Sequence, residues 1–120
     1  MTAIKVAPIK PTISLELLDK VDVRVGTIEH VLDVAGSEKL VKLLVDFGDH
    51  KRSILAGMKK ERSNSKEIEG KQALFVANLE LKKMMGEVSE GMLFDIGYAD
   101  GIVPALAVPE RHVPNGTRAG

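Results

Sequence analysis

The sequence predicts an all-β domain, built as a small barrel of five short strands. Apolar and polar residues alternate in several short runs, the period of half-buried strands, and the helical signals are confined to two short stretches. With 120 residues, the chain has the length of one domain and can bury a hydrophobic core without the help of disulfide bonds or a bound metal. It contains no cysteine, which excludes disulfides, thiolate catalysis and thiolate-bound zinc.

The N-terminal stretch, residues 1–13, carries Pro8 and Pro11 and is predicted to be an arm without regular structure. Ser14 precedes the segment LELLDK. A serine in that place is a typical helix N-cap, so a short helical turn is expected to follow it.

Three strands are predicted in the first half of the domain. The first covers about residues 21–32, with a bend or bulge expected at Gly26. The second covers residues 40–47 and the third residues 51–57. Gly48–Asp49 stands between the second and third strands, which predicts a hairpin.

The second half adds a polar segment with one helical turn near residues 66–69, a buried strand over 71–79 and a fifth strand over 87–97. The remaining residues are rich in proline and glycine and predict turns with short extended pieces. Five strands with a helical turn between the third and fourth are typical of the OB-fold, a Greek-key barrel. Periodicity alone leaves an open sandwich as an alternative.

The charges are balanced overall but unevenly distributed. Seventeen basic and seventeen acidic residues give no argument for a polyanionic partner. Residues 39–83, however, carry eleven basic and six acidic side chains, a net charge of +5 between flanks of −2 and −3. A basic middle can present a local positive face; the alternative is an ordinary solvated surface.

No catalytic or metal-binding constellation is visible. The three histidines lie far apart, and neither a phosphate-binding glycine loop nor a nucleophile elbow occurs. We therefore predict that the chain is not an enzyme and needs no metal or cofactor. An apolar signal core and a membrane-spanning run are both lacking, so we expect a cytoplasmic protein without a membrane partner.

Two segments in the basic middle combine residue types that suit binding. Gly36–Leu40, GSEKL, forms a loop with Lys39 at the start of the next strand, although glycine and serine are also plain turn residues. Lys51–Lys60 carries Arg52 on the same side as apolar neighbours, which predicts an edge or bent strand.

A third segment, Ala77–Met92, is the most informative. Asn78 ends an apolar strand, where its amide needs a partner. Lys82 and Lys83 precede two methionines in a predicted loop, and flexible thioethers beside ammonium groups form an adaptable positive surface suited to unpaired bases next to phosphates. The alternative is that the methionines fill the barrel end.

Aromatic residues, the usual stacking platforms for single strands, are scarce. Four are present, and two of them, Phe75 and Phe94, are expected in the core. The other two are Phe47 and Tyr98.

Seven motifs in family order and spacing resemble the tRNA-binding OB-fold domain, found free-standing and at the C-terminus of many bacterial methionyl-tRNA synthetases. A related branch consists of secretion-chaperone-like proteins. The motifs are VDVRVGTIE (21–29), GSEKL (36–40), VDFGDHKRSILAGM (45–58), VANL (76–79), KKM (82–84), SEGM (89–92) and VPNGT (113–117).

The resemblance implies one domain over residues 14–120, paired into a homodimer through a C-terminal segment at about 100–120. It implies structure-dependent, sequence-independent binding to the outer corner of tRNA, in trans, as a tRNA chaperone or a cofactor of an aminoacyl-tRNA synthetase. The alternative is a dimeric chaperone for unfolded or exported polypeptides. The basic residues favour RNA, because a peptide groove does not need them.

The family's binding positions carry over to nine residues. Cations would meet phosphates, which position RNA without reading its sequence. Two departures, Leu81 in place of proline and Met85 in place of a cation, imply weaker binding. The nine residues are Lys39, Arg52, Asn78, Lys82, Lys83, Met84, Ser89, Glu90 and Met92.

Overall fold

A computed structural model of the chain describes residues 5–120. A curled antiparallel sheet forms its body, with the strands in the spatial order third, second, first, fourth and seventh along the chain. This confirms the predicted all-β, OB-type architecture of five strands. The sheet strands are β1 (Val23–Asp33), β2 (Val41–Asp46), β3 (Lys51–Ala56), β4 (Gln72–Val76) and β7 (Met92–Leu93).

Several short helical and extended elements accompany this sheet. Helix α1 (Leu15–Leu18) precedes it, and 3-10 turns cover Ser65–Ile68 and Tyr98–Asp100. The first of these turns lies between β3 and β4, where a helical turn was expected. The remaining strands are β5 (Lys82–Met84), β6 (Glu87–Ser89), β8 (Asp95–Ile96), β9 (Ala105–Leu106) and β10 (Arg118–Ala119).

The long strand β1 curls the sheet because its two halves pair with different neighbours. Residues 23–27 pair with β4, and residues 27–33 pair with β2. A bulge at Gly26 is wrong, because the bulge lies between Ile28 and His30. Gly26 is instead needed for close packing, since a Cβ there would lie 2.5 Å from Val45 Cγ1.

The core lies inside the curled sheet and follows the predicted alternation. Ile28, Leu43, Ile54 and Phe75 are all fully buried. Phe47 and Phe75 meet edge to face with their ring centroids 5.5 Å apart, a favourable arrangement for two aromatic quadrupoles. The second and third strands pair antiparallel from Val41–Ala56 to Asp46–Lys51, which confirms the hairpin.

The predicted fifth strand over residues 87–97 is wrong as a continuous element. The segment breaks into β6, β7 and β8, which pair with β5, β4 and β9 respectively. The first break includes Gly91, where a Cβ would lie 2.7 Å from the carbonyl oxygen of Val76, and the second falls at Phe94, between β7 and β8. The expected loop at residues 82–84 is strand β5, because it pairs with β6 in a hairpin.

The C-terminal segment is part of the barrel. Val25 N–H donates to Thr117 O at 2.9 Å, and Gly116 N–H donates to Val25 O at 2.7 Å. Strand β10 pairs with the start of β1. The sequence predicted turns here, but not this return to the first strand.

At the other terminus, residues 1–4 of the predicted arm lie outside the described residues, and residues 5–13 form no helix or strand. The amide of Ala7 donates to the Asp100 carboxylate, which ties the arm to the turn after β8. Ser14 caps α1 as predicted, with its hydroxyl accepting the Leu17 amide at 3.0 Å. Over residues 5–120, no helix is long and apolar enough to cross a bilayer.

Candidate nucleic-acid interface

Two connections meet at one end of the barrel. The first is the loop over residues 34–40, between β1 and β2; the second is the hairpin of β5 and β6. Met85 at the hairpin tip reaches Gly36, its Cε lying 3.4 Å from where a Gly36 Cβ would stand. Lys42 of β2 forms an ion pair with Glu87 of β6 at 3.2 Å. These contacts hold the hairpin across the edge of the sheet.

Three lysines surround the cavity beside this junction, and we call Lys39, Lys60 and Lys82 the lysine rim. All three side chains are exposed. Lys60 has a single long ion pair, 3.7 Å from Glu38, whereas Lys39 and Lys82 have none among residues 5–120. Sequence analysis missed Lys60, although it lies in the basic segment that ends with two adjacent lysines.

Lys83 lies on the opposite side of the hairpin strand from Lys82, as the alternation of a β-strand requires. It is exposed and has no ion pair within the described part of the chain. The two adjacent lysines therefore present charge in two directions.

The cavity inside the lysine rim is open and has a volume of about 890 Å³. Its apolar lining includes Leu55, Met92 and Leu93. Phe94 and Tyr98 line it too. Phe94 was expected in the core and is only half-buried, while Tyr98 is 74% exposed. The cavity thus has cationic, apolar and aromatic parts within one opening.

Three carboxylates complete the lining: Glu61, Asp95 and Asp100. Burial, aided by the negative charge of Asp95, raises the pKa of Glu61, and Arg62 only partly opposes this. Asp100 accepts the Ala7 amide. The cavity can therefore accept hydrogen bonds as well as attract anions.

Arg52, a predicted phosphate contact, is turned inward. Its Nη1 donates to the carbonyl of Glu90 at 3.0 Å and to that of Ala77, while Nε donates to His50 Nε2 at 3.0 Å. Its guanidinium also lies 5.9 Å from the Phe47 ring centroid. Arg52 therefore joins β3 to the end of β4 and to the turn before β7.

Asn78 fulfils the expectation that its amide needs a partner, and the partners are backbone groups. Its Oδ1 accepts the Asp22 amide at 2.8 Å, and its Nδ2 donates to Lys20 O at 2.6 Å. These two hydrogen bonds hold the connection between α1 and β1 in place.

Ser89 and Glu90 join the outer strand β3 to the far end of the sheet. Ser89 is buried, and its Oγ accepts the Leu55 amide at 3.0 Å. Glu90 Oε1 accepts the Ser53 amide at 2.9 Å, and the Glu90 amide donates to Ser53 O at 2.8 Å. These bonds satisfy edge groups of β3 that would otherwise need water or a partner.

The methionines divide between the hairpin and the cavity. Met92 is 44% exposed and lines the cavity, while Met84 is half-buried on β5. The buried methionine of the core is Met58.

Among the predicted site residues, the structure brings Lys39, Lys82 and Met92 together, and it engages Arg52, Asn78, Ser89 and Glu90 in bonds within the barrel. The predicted RNA contacts of all nine residues stay predictions.

The described residues, 5–120, contain no group of three histidine, aspartate or glutamate side chains arranged to hold a metal ion.

Comparison with known proteins decides the family. The sequence profile described as "Putative tRNA binding domain" matches residues 23–118. The chain belongs to this family. A methionine–tRNA ligase of Streptococcus pyogenes is 39% identical over 113 residues, covering 92% of this chain and 17% of the relative. The chain thus spans about a sixth of the length of that curated relative.

Solved structures of other proteins share the fold. The MetRS-related protein from Pyrococcus horikoshii matches with a TM-score of 0.84 and 32% identity, covering 92% of this chain and all of that one. The chaperone CsaA from Bacillus anthracis matches with a TM-score of 0.77 and 26% identity over the same shares. The fold is thus common to proteins named for a synthetase and for a chaperone.

Proposed function

We propose that this tRNA-binding-family domain binds tRNA through the lysine rim and Lys83, recognising shape rather than sequence. Ammonium groups on two connections of a rigid barrel can meet phosphates on neighbouring strands of a folded RNA. Such contacts fix orientation and carry no sequence information. The family membership and the methionine–tRNA ligase relatives support this reading.

The observation that carries the proposal is the contrast between the cations. Arg52 is held by carbonyl groups of the barrel, whereas Lys39, Lys82 and Lys83 are exposed and have no ion pair among residues 5–120. A lysine without an internal partner can bind phosphate without first breaking a bond. The same lysines are not required by the fold.

The test is a titration of labelled tRNA at two salt concentrations, followed by fluorescence anisotropy, with duplex RNA as competitor. We expect Lys82→Ala plus Lys83→Ala to weaken binding and to reduce the log–log salt slope by about 1.8, since each lost phosphate contact removes about 0.9. The unfolding midpoint should not change.

Lys66→Ala plus Lys71→Ala is the matched control. It removes the same charge from two exposed lysines outside the cavity lining. Equal weakening by both double variants would mean that only net charge matters, and unaltered binding by the Lys82/Lys83 variant would show that the assigned face is wrong.

We also propose that the domain works as a homodimer through its C-terminal part. Val103 and Val108 lie in this part of the chain and are 74% and 54% exposed, and a second copy that covered them would remove apolar surface from water.

The synthetase relatives lead us to extend the proposal to a partner. In this view, the domain holds tRNA for an aminoacyl-tRNA synthetase or acts in trans as a tRNA chaperone, with the cytoplasm as its expected location. Salt-dependent tRNA binding is a prerequisite of either role, so its loss would remove both.

A second candidate is the binding of unfolded or exported polypeptide, favoured by the likeness to the chaperone CsaA and by the apolar part of the cavity. Binding of tRNA and of an unfolded polypeptide to the same two chains distinguishes the two functions. An unfolded polypeptide that binds the Lys82/Lys83 variant as well as the parent, with no tRNA binding by either, would support the chaperone reading.

A further inference from the structure

The cavity within the lysine rim has features that phosphate binding alone does not use. Tyr98 is 74% exposed, and it shares the lining with the half-buried Phe94. A large ring left this open gains nothing from the core, whereas an aromatic face in a groove is a stacking surface for an unpaired base. Both residues lie outside the nine predicted from the sequence.

We propose that this cavity holds one unstacked nucleotide of the bound RNA, with its base against Tyr98 and Phe94 and its phosphates on the lysine rim. The proposal rests on the proposed tRNA binding and adds a subsite to it. At about 890 Å³, the cavity falls within the size range of sites that enclose small ligands, roughly 300–1,000 Å³.

The lining carries three lysines and three carboxylates, so it suits a nucleotide, which has both phosphates and amino groups, better than an apolar peptide. Lys39, Lys60 and Lys82 provide three cations around the opening, enough for the phosphates on both sides of one nucleoside. Leu55 and Met92 supply an apolar surface for the base. Lys60 already pairs with Glu38 at 3.7 Å, whereas a purely apolar side chain would give Lys39 and Lys82 no partner.

The carboxylates predict which bases enter. Glu61 and Asp95 line the cavity with oxygen acceptors, and a carboxylate accepts from the exocyclic amino group of cytosine. Adenine and guanine also carry such a group, whereas uracil has none. We therefore expect a preference for amino-bearing bases over uracil.

The experiment uses the full chain and two labelled RNA hexamers, oligocytidylate and oligouridylate, titrated at low salt by fluorescence anisotropy. We expect tighter binding of oligocytidylate. Tyr98→Ala should weaken it about five- to a hundredfold, the range of one stacking contact, while Tyr98→Phe should retain most of the affinity.

Leu81→Ala is the control, because Leu81 is 69% exposed beside Lys82 and lies outside the cavity lining. Light scattering and urea unfolding of each variant distinguish loss of stacking from loss of assembly or fold. Equal affinity for the two hexamers would overturn the base preference. Unchanged binding by Tyr98→Ala, or equal loss in Tyr98→Phe, would overturn the subsite.

The same variants, tested on tRNA, separate this inference from the proposed function. If the Lys82/Lys83 variant loses tRNA while Tyr98→Ala binds the hexamer normally, the subsite is wrong and tRNA binding stands. If the hexamer requires Tyr98 and tRNA does not bind, the subsite stands and the tRNA proposal fails. A parent chain that binds neither RNA would overturn both.

Discussion

Arg52 illustrates why a residue's type does not define its role. A guanidinium has several donors in a fixed plane, so it can meet two carbonyls and a ring nitrogen at once. In this barrel those partners belong to three segments: Ala77, Glu90 and His50. Arg52 therefore holds segments of the barrel together at a position that the sequence predicted to contact RNA.

We expect Arg52→Ala to lower the free energy of unfolding by about 1.5–3 kcal/mol, the usual range for hydrogen bonds from a charged donor. Arg52→Lys should recover only part of this, because an ammonium cannot reproduce the planar fork. Urea unfolding checks both variants.

Lys51→Ala is the control, since Lys51 is an exposed neighbour whose ion pair with Glu29 lies at the surface, where such pairs contribute little. If Arg52→Ala kept the parent's unfolding midpoint but no longer bound tRNA, Arg52 would contact RNA and would not stabilise the barrel.

At the scale of elements, the C-terminal strand is attached to the first strand by a small charged network. The Asp22 carboxylate accepts from Arg24 Nε at 3.0 Å and from Arg118 Nε at 3.3 Å. Arg24 also donates to Gly116 O at 3.2 Å. One carboxylate thus links β1 to β10, which explains how a proline-rich tail is kept in place.

This network predicts a pH dependence. The hydrogen bond from Arg24 is the largest cause that holds the pKa of Asp22 below its usual 3.8. The folded state therefore favours the charged form, so the stabilisation is complete above pH 3.8 and is lost as the pH falls through the lowered pKa. Asp22→Asn should destabilise the chain at neutral pH.

Urea unfolding at neutral pH and again well below pH 3.8 tests this. The difference in the free energy of unfolding between the parent and Asp22→Asn should be smaller at the lower pH. Asp19→Asn serves as the control, because Asp19 is exposed and has no ion pair among the described residues. A gap between parent and Asp22→Asn that stayed constant with pH would mean that the carboxylate charge contributes nothing.

At the scale of the whole molecule, the exposed apolar residues bear on assembly. Val103 follows the turn beside the cavity and is 74% exposed. If a second copy covers it, Val103→Glu buries an unpaired charge twice in one symmetric contact, which is strongly unfavourable. We expect this variant to be a folded monomer.

Light scattering should give the parent twice the chain mass of 13.0 kDa and the variant the single mass. Val88→Glu makes the same change on the β5–β6 hairpin, where the side chain is 41% exposed, and should remain dimeric. A dimeric Val103→Glu variant would place the interface elsewhere.

The sequence by itself determined the first four strands of the sheet, the α1 cap at Ser14 and the hairpin at Gly48. Alternation and turn chemistry act between near neighbours, so they can be read along the chain. The same patterns failed over residues 87–97, because the pieces of this segment pair with three different strands and a Cβ at Gly91 would lie 2.7 Å from the carbonyl oxygen of Val76.

Only the tertiary structure decided which candidate residues are available to a ligand. Asn78 bonds to groups 56 and 58 positions away, and Arg52 to carbonyls 25 and 38 positions away. No local pattern encodes such partners. The cavity likewise gathers Lys39, Lys60 and Tyr98 from three separate segments, because the curl of the sheet, set by the long strand β1, brings its ends together.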